Sequence, residues 1–195
     1  MSRDLNRFFL EADRAVLVVV DVQERLVPAM PKKVYRRLKK SIDVLARAAK
    51  ELGVPVVTTE QYPRGLGHTV PELADACAET VVEKVSFGCC GEPTFIEKLK
   101  ELGRTQVVLT GMEAHVCVYQ TVLGLLDSGY NVHLVSDAIC SRNKHDYLAG
   151  VDNARCAGAV VSTTEMVLFQ FLQQAGTPEF KFVSGLVKER DSDKD

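Results

Sequence analysis

The stretch AVLVVVD, residues 15–21, contains six consecutive apolar residues and ends on a carboxylate. A run of this length, rich in valine, is typical of a β-strand. Because it does not alternate with polar residues, it predicts a strand buried on both faces, as in a parallel sheet covered by helices. Asp21 follows directly, at a position where an unpaired carboxylate is costly.

Five further strand-like segments follow, separated by longer segments with helical periodicity. This alternation predicts a parallel sheet with right-handed crossovers and helices on both faces, a three-layer α/β/α fold. The five segments are VPVVTT (54–59), TVVEK (80–84), TQVVLTG (105–111), NVHLVSD (131–137) and GAVVST (158–163).

A chain of 195 residues is long enough for one domain with a full core. We predict that domain over residues 1–187 and a charged tail over 188–195. The net charge of −2 gives no electrostatic reason to expect nucleic acid as a partner. The basic residues of the run KKVYRRLKK (32–40) lie on the helix face opposite the apolar residues. A solvated face is favoured over an anion-binding patch.

The sequence has no apolar run of the roughly 18 to 20 residues that a membrane span needs, so no membrane partner is expected. Its N-terminal residues mix acidic and basic side chains and lack a signal core. Its six cysteines show no disulfide-framework spacing. We therefore predict reduced thiols and a cytoplasmic location, with import into an organelle left open.

Polar side chains follow the predicted strands at their carboxyl ends, the edge where ligands bind in open α/β sheets. They are Asp21, Glu60 with Gln61, Lys84, Cys117 and Asp137. Side chains that are far apart in sequence are therefore expected to meet at one edge of the sheet.

Three of these residues have complementary chemistry. Asp21 has the properties of a base for a thiol proton, Lys84 those of an orienting charge, and Cys117 those of a nucleophile. A helix start and a nearby lysine are expected to stabilise a thiolate at Cys117. Taken singly, each residue also fits a structural role: Asp21 that of a helix or loop cap, Lys84 that of an exposed lysine at a strand end, and Cys117 that of a packed core cysteine.

Four stretches, in order along most of the chain, carry a resemblance to a known family. They are LVVVDVQ (17–23), EKVSFG (83–88), LTGMEAHVCV (109–118) and SDAICSR (136–142). On these motifs the chain resembles the isochorismatase-like cysteine hydrolase superfamily, which includes nicotinamidases and N-carbamoylsarcosine amidase.

The resemblance implies a Rossmann-like, six-stranded parallel sheet in the order 3-2-1-4-5-6 and an Asp–Lys–Cys triad at Asp21, Lys84 and Cys117. It further implies a cis peptide between Met112 and Glu113, and an oxyanion hole formed by the backbone N–H groups of Glu113 and Cys117. A homo-oligomer, either a dimer, a tetramer or a larger assembly, is expected on the same ground.

Two departures from the family narrow this expectation. Nicotinamidases bind a metal through an Asp-x-His pair and a later histidine, whereas TTEQYPRGLGHTVPEL (58–73) contains only His68. No metal and no cofactor are therefore expected. Isochorismatases act on a vinyl ether and do not need a thiol, so the presence of Cys117 favours an amide-like or other acyl substrate.

The substrate pocket is expected to include six side chains close to the triad. A Cys–His dyad is disfavoured, because residues two apart on a helix point about 200° away from each other. Cys89 and Cys90 are read as small turn residues, in preference to a resolving thiol for an oxidised Cys117. The pocket candidates are Gln23, Glu60, Gln61, Tyr62, Phe87 and His115.

The leading hypothesis is a metal-independent hydrolase that attacks a small amide or related carbonyl compound, at a C–N bond, through an acyl-enzyme on Cys117. The alternative from another class is a binding or scaffold protein that keeps the fold without catalysis. A nuclease is the weaker alternative, because the sequence shows neither a metal site nor a concentrated basic edge. The expected partner is a small-molecule substrate.

Overall fold

The computed structural model describes residues 5–192, which form a six-stranded sheet with helices on both faces. All strand pairs are parallel and the strand order is β3-β2-β1-β4-β5-β6, which confirms the predicted fold class and order. The strands are β1 (Ala15–Val20), β2 (Val56–Gln61), β3 (Val81–Lys84), β4 (Gln106–Met112), β5 (Asn131–Cys140) and β6 (Val160–Ser162).

Strand β1 shows why the sheet is covered on both sides. All six of its residues are buried. Ala15, Leu17 and Val19 pack into one hydrophobic cluster, and the alternate residues Val16, Val18 and Val20 pack into the other. Successive side chains of a strand point to opposite faces, so an unbroken apolar run supplies both cores at once.

The helices divide between the two clusters. Residues of α1, α3, α7 and α8 pack on one face of the sheet, and residues of α4, α5 and α6 pack on the other. The helices are α1 (Lys32–Glu51), α2 (Pro63–Leu66), α3 (Pro71–Cys77), α4 (Pro93–Leu102), α5 (Tyr119–Asp127), α6 (Lys144–Ala157), α7 (Thr164–Leu172) and α8 (Pro178–Ser192). None of these helices is long and apolar enough to cross a membrane.

The fifth strand is longer than predicted, since β5 continues past Asp137 to Cys140. Asp137 lies within the strand, and its Oδ1 accepts hydrogen bonds from the backbone N–H (2.7 Å) and hydroxyl (3.0 Å) of Thr164. A register irregularity between Leu109 and Gly111 of β4 accompanies this second half of the strand.

Residues 188–192 of the predicted charged tail belong to helix α8. Arg190 anchors this end of the helix: its Nη2 lies 2.7 Å from Glu165 Oε1, and its Nη1 lies 3.5 Å from Asp137 Oδ2. Ion pairs to two other elements therefore hold a segment whose charge suggested fraying. Residues 193–195 of the predicted tail lie outside the described residues.

The strand order reverses between β1 and β4, which lie side by side although two strands separate them in sequence. At this junction the backbones approach closely: a Cβ on Gly111 would lie 2.1 Å from the carbonyl oxygen of Val20, and Gly111 has a φ of +115°. The carboxyl ends of these two strands carry Asp21 and the segment that leads to Cys117. The switch point is where open α/β sheets bind their ligands.

Candidate active site

Asp21 is the first residue after β1 and is completely buried. Its φ of +52° lies in the left-handed region, which aspartate adopts more readily than most residues but which still marks a specially held position. Its Oδ1 accepts a hydrogen bond from the hydroxyl of Thr59 at 2.7 Å, and its Oδ2 lies 2.7 Å from Lys84 Nζ. Both carboxylate oxygens are therefore engaged.

Lys84 ends β3 and its ammonium group is buried, with four acceptors around it. Nζ donates to Asp21 Oδ2 and Gln61 Oε1, each at 2.7 Å, and to the carbonyl oxygens of Ser86 at 3.1 Å and Phe87 at 3.0 Å. A buried charge is tolerated only when it is paired and fully hydrogen-bonded. These four contacts hold the Lys84 side chain in one place.

Cys117 lies in a π-helical turn, Ala114–Val118, between β4 and α5. The charges of both Asp21 and Lys84 act on its thiol, so all three predicted catalytic side chains meet at the ends of β1, β3 and β4. Only 7% of Cys117 is exposed. The Met112–Glu113 peptide that precedes the turn is cis, at the position that the family resemblance implies.

The surroundings of Cys117 act against a thiolate in the free protein, in the direction opposite to the one that a helix start and a nearby lysine predict. Burial raises the pKa of Cys117, and the negative charge of Asp21 raises it further. The positive charge of Lys84 lowers it, but Lys84 is already paired with Asp21 and does not outweigh these two effects. The arrangement therefore keeps the proton on sulfur, next to the carboxylate that can receive it.

The charge of Glu113, the residue immediately before the π-helical turn, is compensated within the protein. Its Oε2 accepts hydrogen bonds from the backbone N–H (3.0 Å) and the Nε (3.1 Å) of Arg142, which follows β5. The backbone carbonyl of Glu113 accepts from the amides of Val116 and Val118, which closes the π-helical turn. Glu113 therefore anchors this turn to the segment after β5.

The predicted pocket residues Gln23 and Gln61 form a buried hydrogen-bonded pair beside Lys84. Gln61 N donates to Gln23 Oε1 at 2.7 Å, and Gln23 Nε2 donates to Gln61 O at 3.0 Å and to Gly67 O at 2.6 Å. Gln61 also accepts from Lys84, so its side chain positions the ammonium group. These two residues support the triad more directly than they line a pocket.

Glu60 stays a predicted pocket residue, but its carboxylate already has partners on the loop after β2. Its Oε1 accepts from the backbone N–H (2.6 Å) and hydroxyl (2.8 Å) of Thr69, and its Oε2 lies 2.8 Å from His68 Nδ1. Burial opposes ionisation of Glu60, but these hydrogen bonds outweigh burial and lower its pKa. Alternation along β2 gives the side facing Asp21 and Lys84 to Thr59 and Gln61.

The remaining pocket candidates differ in exposure. Tyr62 and Phe87 are 55% and 57% exposed, and they lie next to Gln61 and beside the loop carbonyls that hold Lys84. His115 is half-buried, and its Nδ1 lies 2.9 Å from the hydroxyl of Ser141. That contact ties the π-helical turn to the segment after β5, as the Glu113–Arg142 pair does.

Thr59 and Arg142 are functional partners that sequence reasoning missed. The signal for Thr59 is its place two residues before Gln61 on the same face of β2, next to Asp21 across the sheet. Arg142 belongs to the SDAICSR motif, but nothing in that motif identifies Glu113 as its partner. Both contacts depend on strand register and loop path, which one sequence does not specify.

The other cysteines do not share the position of Cys117. Cys89 is buried against Thr59, with 3.7 Å between its sulfur and the threonine hydroxyl, and its backbone N–H donates to Thr121 Oγ1. Burial and the charge of Asp21 raise the pKa of Cys89 to about 11. Among residues 5–192, no group of three or more His, Cys, Asp and Glu side chains is arranged to hold a metal ion.

A doubly wound parallel sheet with a carboxylate, an ammonium group and a thiol buried at its switch point defines an α/β protein with a cysteine-based site. The chain matches the isochorismatase domain over residues 15–166, and it belongs to the isochorismatase-like hydrolase family.

Relatives match it along most of its length. It is 33% identical to isochorismatase family protein 1B of Dictyostelium discoideum over 199 residues, which covers 99% of this chain and 94% of that protein. The MAR1 ribonuclease structure from Caenorhabditis elegans superposes with a TM-score of 0.82 at 34% identity and covers 92% of both chains.

The YcaC gene product of Escherichia coli, described as an octameric hydrolase of unknown specificity, superposes with a TM-score of 0.85. It is 21% identical, and the match covers 94% of this chain and 93% of that one. This likeness is one of fold.

Proposed function

We propose that the protein is a hydrolase that cleaves a C–N bond of a small amide or related carbonyl compound, with Cys117 as nucleophile. The observation that carries the proposal is the buried ion pair of Lys84 and Asp21 next to the thiol of Cys117, on which both charges act. A thiol, a base within reach and a charge that orients the base are the parts that nucleophilic catalysis requires.

In the first half-reaction, Sγ of Cys117 attacks the substrate carbonyl carbon while Asp21 takes the thiol proton. The carbonyl oxygen becomes an oxyanion, which we place against the backbone N–H groups of Glu113 and Cys117. The intermediate collapses when the C–N bond breaks, and Asp21 returns the proton to the leaving nitrogen. The acyl group is then held on Cys117 as a thioester.

In the second half-reaction, water attacks the thioester carbon and Asp21 accepts a proton from that water. The C–S bond breaks, the acid product leaves, and the proton passes to the sulfur to restore the thiol. Lys84 transfers no proton in either half-reaction. Its four acceptors hold it against Asp21, so it orients the carboxylate and stabilises its negative form between proton transfers.

The decisive experiment compares the wild type with Cys117→Ala in a screen of small amides. We expect hydrolysis by the wild type and a loss of at least about 10³-fold in kcat in the variant, because only the thiol forms the covalent intermediate. Mass spectrometry of the quenched wild-type reaction should show one acyl group per chain, on Cys117. Full activity of Cys117→Ala would refute the proposal.

Alkylation separates this proposal from the non-catalytic alternative. Since the pKa of Cys117 is raised, iodoacetamide should modify it more slowly at pH 8 than it modifies a free cysteine. Substrate that forms a thioester should protect Cys117 from the reagent. Slow alkylation together with no turnover and no protection by any amide tested would favour the binding or scaffold protein.

Ribonuclease activity is a second candidate, favoured by the solved relative described as a MAR1 ribonuclease. The argument against a nuclease from the lack of a concentrated basic edge is wrong, because seven basic residues line one cavity of the folded chain. Incubation of a labelled RNA with the wild type and with Cys117→Ala tests this candidate. Equal cleavage by both proteins would point to a contaminating nuclease or to a site other than the triad.

We also propose that the protein forms a homo-oligomer, as the family resemblance implies and as the octameric YcaC relative illustrates. Light scattering coupled to size-exclusion chromatography should give a mass of at least twice the 21.5 kDa of one chain. A monomer at micromolar concentration would contradict this.

A further inference from the structure

A cavity of about 680 Å³ lies beside the triad rather than at it, between α1, β5, the start of α6 and the end of α8. Seven basic residues and two carboxylates line it, although the whole chain has a net charge of −2. None of Asp21, Lys84 and Cys117 is among the lining residues. The charged lining of the cavity is therefore a region separate from the triad.

The lining charges differ in how far the protein compensates them. Arg190 is surrounded by carboxylates of Asp137, Glu165 and Asp191, and Arg142 is paired with Glu113. The other lining cations include Lys33 and Arg37, one helical turn apart on α1, and Lys144 at the first position of α6.

Lys33, Arg37 and Lys144 are exposed, and none of them forms an ion pair within residues 5–192. Like charges four residues apart on a helix repel each other. Arg37 also acts on Tyr147, where its positive charge opposes the effect of burial on the pKa of that phenol. These cations therefore converge on the same space without a partner in the described chain.

The cavity also has an apolar wall. Val34 and Pro31 of the α1 entry and Ile139 of β5 line it together with the ring of Tyr147. The hydroxyl of Tyr147 donates to the carbonyl oxygen of Ser136 at 2.8 Å, which fixes the ring in position. A ligand that matches this lining combines a multiply charged anionic group with an apolar body.

We propose that this cavity binds a small organic phosphate, in which the phosphate contacts Arg37, Lys144 and Lys33 and an aromatic or aliphatic group packs on Val34, Ile139 and Tyr147. A phosphate monoester carries a charge of about −1.5 to −2 at pH 7 and offers strong acceptor oxygens. Arginine and lysine recognise such groups through charge-assisted hydrogen bonds.

The shape of the site favours a small molecule over a nucleic acid strand. A volume of about 680 Å³ lies within the roughly 300–1,000 Å³ typical of small-molecule sites. Strand-binding proteins place cations along an extended groove that follows the backbone. Here the cations from α1 and α6 face one concave space.

The cavity meets the catalytic segment at two residues. Arg142 and Ser141 line it; Arg142 contacts Glu113, just before the π-helical turn, and Ser141 contacts His115 within that turn. These contacts link the cavity to the segment that carries the proposed oxyanion hole, although no triad residue lines the cavity.

The test is isothermal titration of the full chain with 1-naphthyl phosphate in a low-salt buffer, with inorganic phosphate and 1-naphthol as the two half-probes. We expect 1-naphthyl phosphate to bind more tightly than either half-probe, and its affinity to fall as salt screens the charges. The double variant Arg37→Gln/Lys144→Gln should lose at least about tenfold in affinity, since two charge-assisted contacts are removed.

The matched control is Lys39→Gln/Lys98→Gln, which also removes two cations, one of them on α1, but from residues that do not line the cavity. It should bind like the wild type, and so should Cys117→Ala. The Cys117→Ala result separates this proposal from the proposed hydrolase function, because loss of hydrolysis with unchanged binding leaves the cavity site intact.

Three results would overturn the proposal. They are the absence of 1-naphthyl phosphate binding to the wild type, an equal loss in the cavity and control variants, and binding of a short single-stranded RNA at the cavity without binding of 1-naphthyl phosphate. The last result would assign the cavity to RNA. Thermal denaturation of every variant, with a melting temperature close to that of the wild type, establishes that an affinity change is not a folding defect.

Discussion

Two charged regions of this molecule differ in how their charges are satisfied. In the triad, Asp21 and Lys84 are buried and pair with each other, and both have further hydrogen-bond partners. In the cavity, Arg37 and Lys144 are exposed and form no ion pair among the described residues. Burial forces charges to be matched inside the protein, whereas exposure allows unmatched charges that remain available for a ligand.

The largest expected effect comes from removing one member of the buried pair. Lys84→Met should abolish hydrolysis and lower the free energy of unfolding by about 3–5 kcal/mol, because it leaves the Asp21 carboxylate buried without its partner. Arg37→Met in the cavity should change stability by no more than about 0.5 kcal/mol. Urea unfolding followed by circular dichroism measures both.

A second variant keeps this comparison testable if Lys84→Met does not fold. In Asp21→Asn/Lys84→Met both charges are removed, so the double variant should regain much of the lost stability while remaining inactive. If Lys84→Met and Arg37→Met had equal effects on stability, the contrast between the two regions would not hold.

His133 of β5 differs from both regions, because it is a titratable group that is buried without a charged partner. Its Nε2 has no hydrogen-bond partner among the described residues, and burial lowers the pKa of His133 to about 4 from the usual 6.5. Between these values the unfolded chain binds a proton that the folded chain does not. Stability should therefore fall as the pH falls from 6.5 to 4, by up to about 3 kcal/mol.

Unfolding free energies at pH 7, 5.5 and 4 test this effect. In His133→Gln the decrease with falling pH should be smaller than in the wild type by that amount. In His145→Gln, which alters an exposed histidine, it should be unchanged. An identical decrease in wild type and His133→Gln would mean that His133 is protonated in the folded protein.

The next effect concerns the hydrogen bond that orients Asp21. Thr59→Val removes a donor to a carboxylate and should lower the unfolding free energy by about 2 kcal/mol and kcat by about tenfold. Thr58→Val is the matched control on the same strand, because it removes a buried bond of 2.8 Å to the carbonyl of Cys77. It should lower stability by about 1 kcal/mol and leave kcat unchanged. An equal loss of kcat in both variants would argue against an orienting role for Thr59.

The contrast between the two regions also explains what the sequence predicts and what it leaves out. The places of Asp21, Lys84 and Cys117 at strand ends follow from apolar runs that are local in sequence, whereas the strand order is what the family resemblance implies. Thr59 and Arg142 depend on register and loop path. The basic run of α1 has the same pattern whether it faces water or a cavity, so only the packing of β5 and α8 beside it reveals the difference.

The smallest effect is expected where the two regions meet, at the Glu113–Arg142 pair. Arg142 is 60% exposed and Glu113 only 10%, so the pair contributes no more than about 1 kcal/mol to stability.

The Glu113–Arg142 pair should have a clearer effect on the pKa of the Cys117 thiol than on stability. Arg142→Gln leaves the charge of Glu113 uncompensated near Cys117, which should raise the pKa of the thiol further and slow hydrolysis by a few fold. Glu113→Gln alone should leave hydrolysis close to the wild-type rate, and Glu113→Gln/Arg142→Gln should regain most of the rate lost in Arg142→Gln. The pH dependence of Cys117 alkylation in the four proteins provides the direct measurement. If Glu113→Gln did not offset Arg142→Gln in rate or in alkylation, then Arg142 would act on the site by a route other than compensation of Glu113.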